Sequence, residues 1–444
     1  MKNWSEHLRG EAGARAAELG LPGPKHEAWR LVDLSALYGQ KPAAGVLPAA
    51  GVPTAGVLLT AGAAGVLPTA GVPDIDAQVI AEAHRIVFVD GCFSRALSDL
   101  PEDEGLRIAP LGLEDAALHA HFGKSLQDEA FAQLNTRDFT DCAWIHVKGV
   151  LEKPIHVLHV ATRPPAPAVG TPAAGTPATP AVGNTPAVGN TPASCYMRCL
   201  VVLEPHAQAQ LVEEYAGSGE SCFVNAMTEI VVGESARLRH VRVQSEGMQS
   251  VHIGNTAVTL DRGAGFDSTS LAFGARLSRH FMHLLHQGEG AHAHLDGLIL
   301  TEGRQVSDEH TRIDHRVPHC SSVQRHKCIA GGASTAVFSG NIVVHRGAKG
   351  TDTRQESRNL LLSGRAKIDA QPQLEILNDD VSCKHGATVG QIDAESLFYL
   401  KSRGIDEASA KKLLIYAFAA EIVDRIPLPA LVERLRAAML GRLA

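Results

Sequence analysis

Leu200-Val-Val-Leu-Glu-Pro-His-Ala207, Ile230-Val-Val-Gly-Glu-Ser-Ala236 and Ala257-Val-Thr-Leu-Asp-Arg-Gly-Ala264 are copies of one pattern: an apolar strand, a tight turn, then a small residue. The pattern continues through the strands Met282-His-Leu-Leu285 and Ile342-Val-Val344. Its small residues are Ala207, Ala236, Ala264, Ala291, Cys320 and Ala348, spaced 29, 28, 27, 29 and 28 residues apart. A second strand follows each small residue, so each repeat carries two strands. A βαβ unit needs about 30 residues including a full helix. No helical pattern of about 10–15 residues separates these strands. What remains is a β-solenoid, in which each coil buries its apolar face by stacking on its neighbours. After Ala348 similar turns recur at Ala366 and Ala387, a shorter rhythm. Such a stack leaves open strand edges that must be capped or paired with another chain.

The expected fold class is therefore mainly β: a β-helix (solenoid) core, 84–391, with α-helical N-terminal and C-terminal regions. Strands at Arg85-Ile-Val-Phe-Val-Asp-Gly91, Ala143-Trp-Ile-His-Val147 and Pro154-Ile-His-Val-Leu-His-Val160 open the core. The N-terminal region, 1–83, reads as helical over 1–40, with Trp4, Leu8, Ala12, Ala16 and Leu19 at steps of three and four. Low-complexity blocks at 43–73 and 165–194 are rich in Pro, Gly, Ala and Thr. They cannot bury large side chains and read as flexible insertions.

The C-terminal region, 392–444, reads as short helices. Gly404 suits a helix end, Asp406 caps the next start with Ser409 three residues on, and Pro427 stops it. A last helix runs from Leu431 to Leu443. Leu397, Phe398, Tyr399, Leu413, Leu414 and Phe418 offer more apolar surface than one stripe needs. Docking of a partner and packing on the end of the solenoid both account for that surface.

The chain has 444 residues, a net charge of −7, 45 % hydrophobic residues and 20 % charged ones, which allows a sizeable core. No basic stripe with interleaved aromatics is present, so no nucleic acid is expected as partner. The eight cysteines, Cys92, Cys142, Cys195, Cys199, Cys222, Cys320, Cys328 and Cys383, form no CxxC pair and no disulfide framework. The N-terminus lacks the apolar segment of a signal peptide, and the expected location is a reducing cytoplasm. No run reaches the roughly 18 apolar residues of a membrane span. Neither a phosphate-binding Gly-x-x-x-x-Gly-Lys-Ser/Thr loop nor a Gly-x-Ser-x-Gly elbow occurs.

Chemistry concentrates near Cys383 and His385. Two residues apart on an extended segment, a thiol and an imidazole point the same way. That soft pair suits zinc, copper(I) or iron–sulfur species but is too small to hold a metal alone. A small apolar cysteine beside a hydrogen-bonded core histidine fits the same residues. Lys384 or a protonated imidazole would activate the thiol, and Asp379 and Asp380 oppose that. His280, His283, His286, His292, His294, His310, His315, His319 and His326 form a second group, without ligands in a recognised zinc pattern. They read as side chains that stack and hydrogen-bond each other on successive coils. The acidic pair Asp308-Glu309 suits a rival class, a secreted-type carbohydrate-active solenoid enzyme.

Pro372-Gln-Leu-Glu-Ile376, Asp379-Asp-Val-Ser-Cys-Lys-His-Gly-Ala-Thr-Val-Gly390 and Glu395-Ser-Leu-Phe-Tyr-Leu-Lys-Ser-Arg-Gly-Ile-Asp406 carry a resemblance. Lys25-His-Glu-Ala-Trp-Arg30, Phe131-Ala-Gln-Leu-Asn-Thr136 and Leu151-Glu-Lys-Pro-Ile-His156 add to it. Through them the chain resembles the SufB/SufD family of SUF iron–sulfur cluster assembly proteins, over nearly its whole length outside the two blocks. Arg354-Gln-Glu-Ser-Arg-Asn-Leu-Leu-Leu362 has no cysteine, which favours the SufD branch over the SufB branch.

The resemblance implies a β-helix with helical ends that pairs with SufB, and SufC ATPases docked on the C-terminal helices. It implies a non-catalytic scaffold, with ATP hydrolysis in SufC. His385 would be a ligand of the nascent cluster at the SufB interface, together with a cysteine of SufB, and Cys383 an accessory thiol. No cofactor is expected to be stably bound by this chain alone. The iron–sulfur cluster would be transient, and a flavin contact stays open. A homodimeric scaffold independent of SufB is a further alternative.

Overall fold

A computed structural model of the chain describes residues 2–23, 26, 29–30, 32, 78, 80, 83–100, 106–110, 116–162, 193–217 and 221–442. The two low-complexity blocks lie outside these residues except for 193 and 194. The N-terminal part holds α1 (Lys2–Leu19), β1 (His84–Val89), β2 (Cys92–Phe93), β3 (Leu106–Pro110), α2 (Ala116–His121) and α3 (Ala130–Asp138). Then come β4 (Cys142–Val147), β5 (Ile155–Ala161), β6 (Ala193–Leu203), β7 (Gln208–Gly217), β8 (Cys222–Val232), β9 (Arg237–Gln244) and β10 (Val251–Leu260). The stack continues with β11 (Gly265–Ala272), β12 (Leu277–His286), β13 (His292–Thr301), β14 (Val306–His315), β15 (Ser321–Ala330) and β16 (Thr335–Val344). It closes with β17 (Thr351–Leu361), β18 (Lys367–Ile376) and β19 (Val381–Gly390), followed by α4 (Ala394–Ser402), α5 (Glu407–Val423) and α6 (Pro429–Arg442).

From β4 onward successive strands alternate between two sheets. One has ten strands, ordered β19-β17-β15-β13-β11-β9-β7-β5-β1-β2, and the other nine, ordered β18-β16-β14-β12-β10-β8-β6-β4-β3. Neighbours are parallel except where β2 meets β1 and β3 meets β4. This is the two-strand coil that the repeat predicts. The six small residues are all buried where a nine-stranded-sheet strand turns into the ten-stranded sheet. The residue before the small one has positive φ in five coils: His206, Ser235, Gly263, Gly290 and His319. A tight left-handed corner leaves no room for a large neighbour, hence the small residue.

The expected shortening after Ala348 is absent. Thr335 pairs with Lys367 and Thr351 with Val381, so the last coils are slightly longer than the earlier ones. Ala366 belongs to the opposite turn, and Ala387 lies within β19. The residue equivalent to Ala348 is Asn378, whose side chain accepts from the Asp380 amide and donates to the Arg346 carbonyl. No coil packs beyond it, so a small residue is not required there.

Side chains alternate in and out along each strand. In β9, Leu238, His240, Arg242 and Gln244 face the interior, while Val241 and Val243 face outward into a second apolar cluster. Leu211, Val258, Phe266, Leu284, Leu295, Ile313 and Ile342 fill one half of the interior. The other half is polar: Glu213 meets His240 at 3.0 Å, and Glu309 meets His280 at 3.3 Å.

Both outer faces are covered. Ala16, Trp29, Phe131 and Leu134 pack on Phe223, Val251, Ile253 and Leu277 of the nine-stranded sheet. Helices α2 and α3 carry no clear helical signature in the sequence; α3 is held by this packing, and α2 by Leu118 against Phe122, Trp144 and Leu200. Helices α5 and α6 lie along the side of the ten-stranded sheet rather than on its end, with Ile415, Ile422, Leu431 and Leu435 on Val241, Leu271 and Leu298. Lys327 Nζ latches α5 by reaching Glu421 at 2.6 Å and donating to the Phe418 carbonyl at 2.8 Å.

Candidate functional site

Strand β19 has one neighbour, β17, and β18 has one, β16. Neither β18 nor β19 contains a buried residue. The solenoid therefore ends on two unpaired edges. Ile376 of β18, Leu377 just after it and Val389 near the far end of β19 are exposed.

The Cys383-x-His385 pair sits on that edge. Cys383 pairs with Thr353 and His385 with Gln355, both of which are buried. Cys383 and Val381 pack against the interior apolar cluster, which sets the odd residues of β19 in the inward row. The expectation that Cys383 and His385 share a face holds. Their environments differ: Cys383 is half-buried and His385 is exposed. Burial pushes the Cys383 thiol up, and the carboxylate of Asp352 adds to that shift. In the lone chain the thiol is thus protonated at neutral pH, and activation by Lys384 does not prevail.

Beneath the pair the inward rows are polar. The Ser322 and Thr353 hydroxyls are 2.7 Å apart, and His315 Nε2 is 2.9 Å from Ser322. Gln355 Nε2 donates to Gln324 Oε1 at 2.6 Å, and Gln324 donates in turn to Thr311. Nothing in the repeat pattern marked these residues, because polar and apolar side chains can both satisfy a period of two.

The histidine group does not converge. His283 and His345 each sit 2.7 Å from Asp314 on the outside of the nine-stranded sheet. His310 meets Asp308 at 2.9 Å, and His280 and His326 flank Glu309 inside. Only the parallel pair His286 and His315, with centroids 4.3 Å apart, meets the expectation of mutual stacking among the ring contacts described. Arg237 meets His292 at 2.7 Å, and carboxylates hold most of the others, since an acidic side chain offers a stronger hydrogen bond than another imidazole. Among the described residues no three His, Cys, Asp or Glu side chains are grouped to hold a metal.

The six apolar residues of the tail divide. Phe398, Tyr399 and Leu413 are exposed, with Phe398 at 73 %. Leu397, Leu414 and Phe418 are half-buried. Leu414 and Phe418 line a cleft of about 330 Å³ with Arg358, Asn359, Val389, Asp393 and Ser396. Asp393 and Asp406 cap α4 and α5 through the amides of Ser396 and Ser409. No helix among the described residues is long and apolar enough to cross a membrane.

Comparison with known proteins fits this architecture. Residues 187–418 match the family described as SUF system FeS cluster assembly, SufBD core domain. A SufBD family iron–sulfur cluster assembly protein of Synechocystis is 36 % identical over 80 % of this chain and 78 % of its own length. The iron–sulfur cluster assembly protein SufD of Escherichia coli is 30 % identical over 92 % of this chain and 86 % of its own. SufD of Bacillus subtilis is 30 % identical over 53 % of this chain and 55 % of its own. A carbohydrate-active solenoid has no place in this picture: the chain belongs to the SufBD family of SUF iron–sulfur cluster assembly proteins, in its SufD branch.

Proposed function

We propose that this chain is a non-catalytic scaffold subunit that pairs through its open solenoid end with SufB, and presents His385 as one ligand of a nascent iron–sulfur cluster there. The observation that carries the reading is the unpaired β18/β19 edge with a Cys-x-His pair in its inward row. An unpaired edge with exposed apolar residues suits a second solenoid of the same geometry, whose strands would continue both sheets. One imidazole and one protonated thiol are too few for a cluster, so the remaining ligands come from the partner. The cluster is cargo, held transiently. The exposed Phe398, Tyr399 and Leu413 serve as the dock for the SufC ATPase, with hydrolysis in that subunit.

The test uses the complex co-expressed with SufB and SufC. Native mass spectrometry should give a heteromeric assembly, and His385→Ala should leave it intact while lowering cluster formation by tenfold or more. Unchanged cluster formation in His385→Ala removes the site. A homodimer that ignores co-expressed SufB removes the pairing. Tyr399→Asp with Phe398→Asp tests the dock, because deleting 393–444 would also strip the helices that cover Val241, Leu271 and Leu298.

A further inference from the structure

Gln355 lies one strand below His385 in the same inward row, as its direct register partner. It is 2 % exposed. Its amide has one hydrogen bond and one close neighbour. Nε2 donates to Gln324 Oε1 at 2.6 Å, and Gln324 donates onward to Thr311. Across the interior, Gly340 leaves the room: a Cβ there would lie 1.9 Å from Gln355 Nε2. Donation along the row runs from Gln355 to Gln324 to Thr311. With Nε2 committed, the carbonyl Oε1 is buried and has no hydrogen-bond partner. An orphaned buried acceptor costs on the order of 1–3 kcal/mol, and native proteins rarely leave one. The next strand carries a donor at the matching position, since parallel neighbours lie about 4.8 Å apart. His385 has no hydrogen-bond partner of its own among the described residues.

We propose that Gln355 is a positioning residue for His385: its Oε1 accepts an N–H from the imidazole, which selects one tautomer and turns the other, unprotonated ring nitrogen toward the subunit interface. A neutral imidazole with one N–H committed presents a lone pair at the other nitrogen, the form a metal ion requires. The inference rests on the reading of His385 as a cluster ligand. Gln355 itself touches no cluster.

The experiment is a long-range ¹H–¹⁵N spectrum of the full chain carrying ring-¹⁵N histidine, at a fixed pH near 8.5, with His385 assigned by its loss in His385→Gln. Gln355→Leu, which removes the acceptor, should shift the His385 tautomer ratio by about fivefold, the effect of one ordinary hydrogen bond. Gly340→Ala, which displaces the amide without removing it, should shift it in the same direction. Gln355→Glu keeps an acceptor for the imidazole and, with the Gln324 amide turned to donate to the new carboxylate and accept from the Thr311 hydroxyl, should stay near the wild-type ratio. In the assembled complex, Gln355→Leu should slow cluster formation several-fold, and Gln355→Glu should restore it. A ratio unchanged in both Gln355→Leu and Gly340→Ala overturns the proposal. A water seen on Gln355 Oε1 in a crystal structure of the complex overturns it too. If the ratio shifts but His385→Ala leaves cluster formation untouched, the positioning stands and the ligand reading falls.

Discussion

The two ends of the solenoid are built on opposite principles. At the N-terminal end each sheet finishes on a short antiparallel strand, β2 against β1 and β3 against β4, and helix packing closes the adjoining face. Trp144 of β4 is buried there against Leu118, Phe122, Phe139 and Leu200. At the C-terminal end β18 and β19 stop without a cap, and none of their residues is buried. The same coil, repeated, thus meets two fates. Terminal strands of two and five residues, β2 and β3, offer little edge for pairing, whereas the ten-residue last strands β18 and β19 offer a long one to another chain. The closed end is a stability device, and the open end carries the one Cys-x-His pair placed in an inward row with nothing above it.

The comparison makes opposed predictions. Trp144→Ala at the closed end should cost about 3–5 kcal/mol of folding free energy, read from denaturant unfolding, because it opens a cavity in a packed cluster. It should leave subunit pairing unchanged. Ile376→Lys with Val389→Lys at the open end should do the reverse. Both side chains are exposed, so the melting temperature should move by only a few degrees. The dissociation constant of the pair, from sedimentation, should rise at least a hundredfold, or about 3 kcal/mol. A double variant that pairs normally would mean that the open end is not the interface.

The interior between the ends supplies a third, smaller contrast. Burial holds the pKa of His159 and of His280 down at about 4, below the ordinary 6.5. The unfolded chain therefore takes up more protons than the folded one between those values. Stability should be flat above about pH 7 and should fall as pH drops from 6.5 toward 4, by roughly 2–3 kcal/mol for each histidine at the lower limit. Thermal melts across that range check the sign. His159→Gln and His280→Gln should each flatten the slope.

Much of the fold was legible early, for a specific reason. In a solenoid the corner residue recurs with the coil, so Ala207, Ala236, Ala264, Ala291, Cys320 and Ala348 mark one turn of every repeat. The same signal misled at its limit: Ala366 belongs to the other turn, and Asn378 replaces the small residue where no coil packs above. The histidine contacts are not legible in the sequence because residues far apart in it become neighbours across a coil, and Asp314 gathers His283, Arg312 and His345 from three successive coils. Helices α2 and α3 are not legible in the sequence because packing, more than pattern, stabilises short helices.

The sequence by itself determined the period, the two-strand coil, the shared face of Cys383 and His385 and the helical tail, because these follow from local alternation and turn chemistry. Only the tertiary structure decided which sheet the tail covers and that the polar half of the interior is buried. It also decided that the thiol is pushed up by its surroundings and that Gln355 lies under His385 with an acceptor to spare. Those depend on register between strands about 30 residues apart, a quantity that no local stretch of the chain encodes.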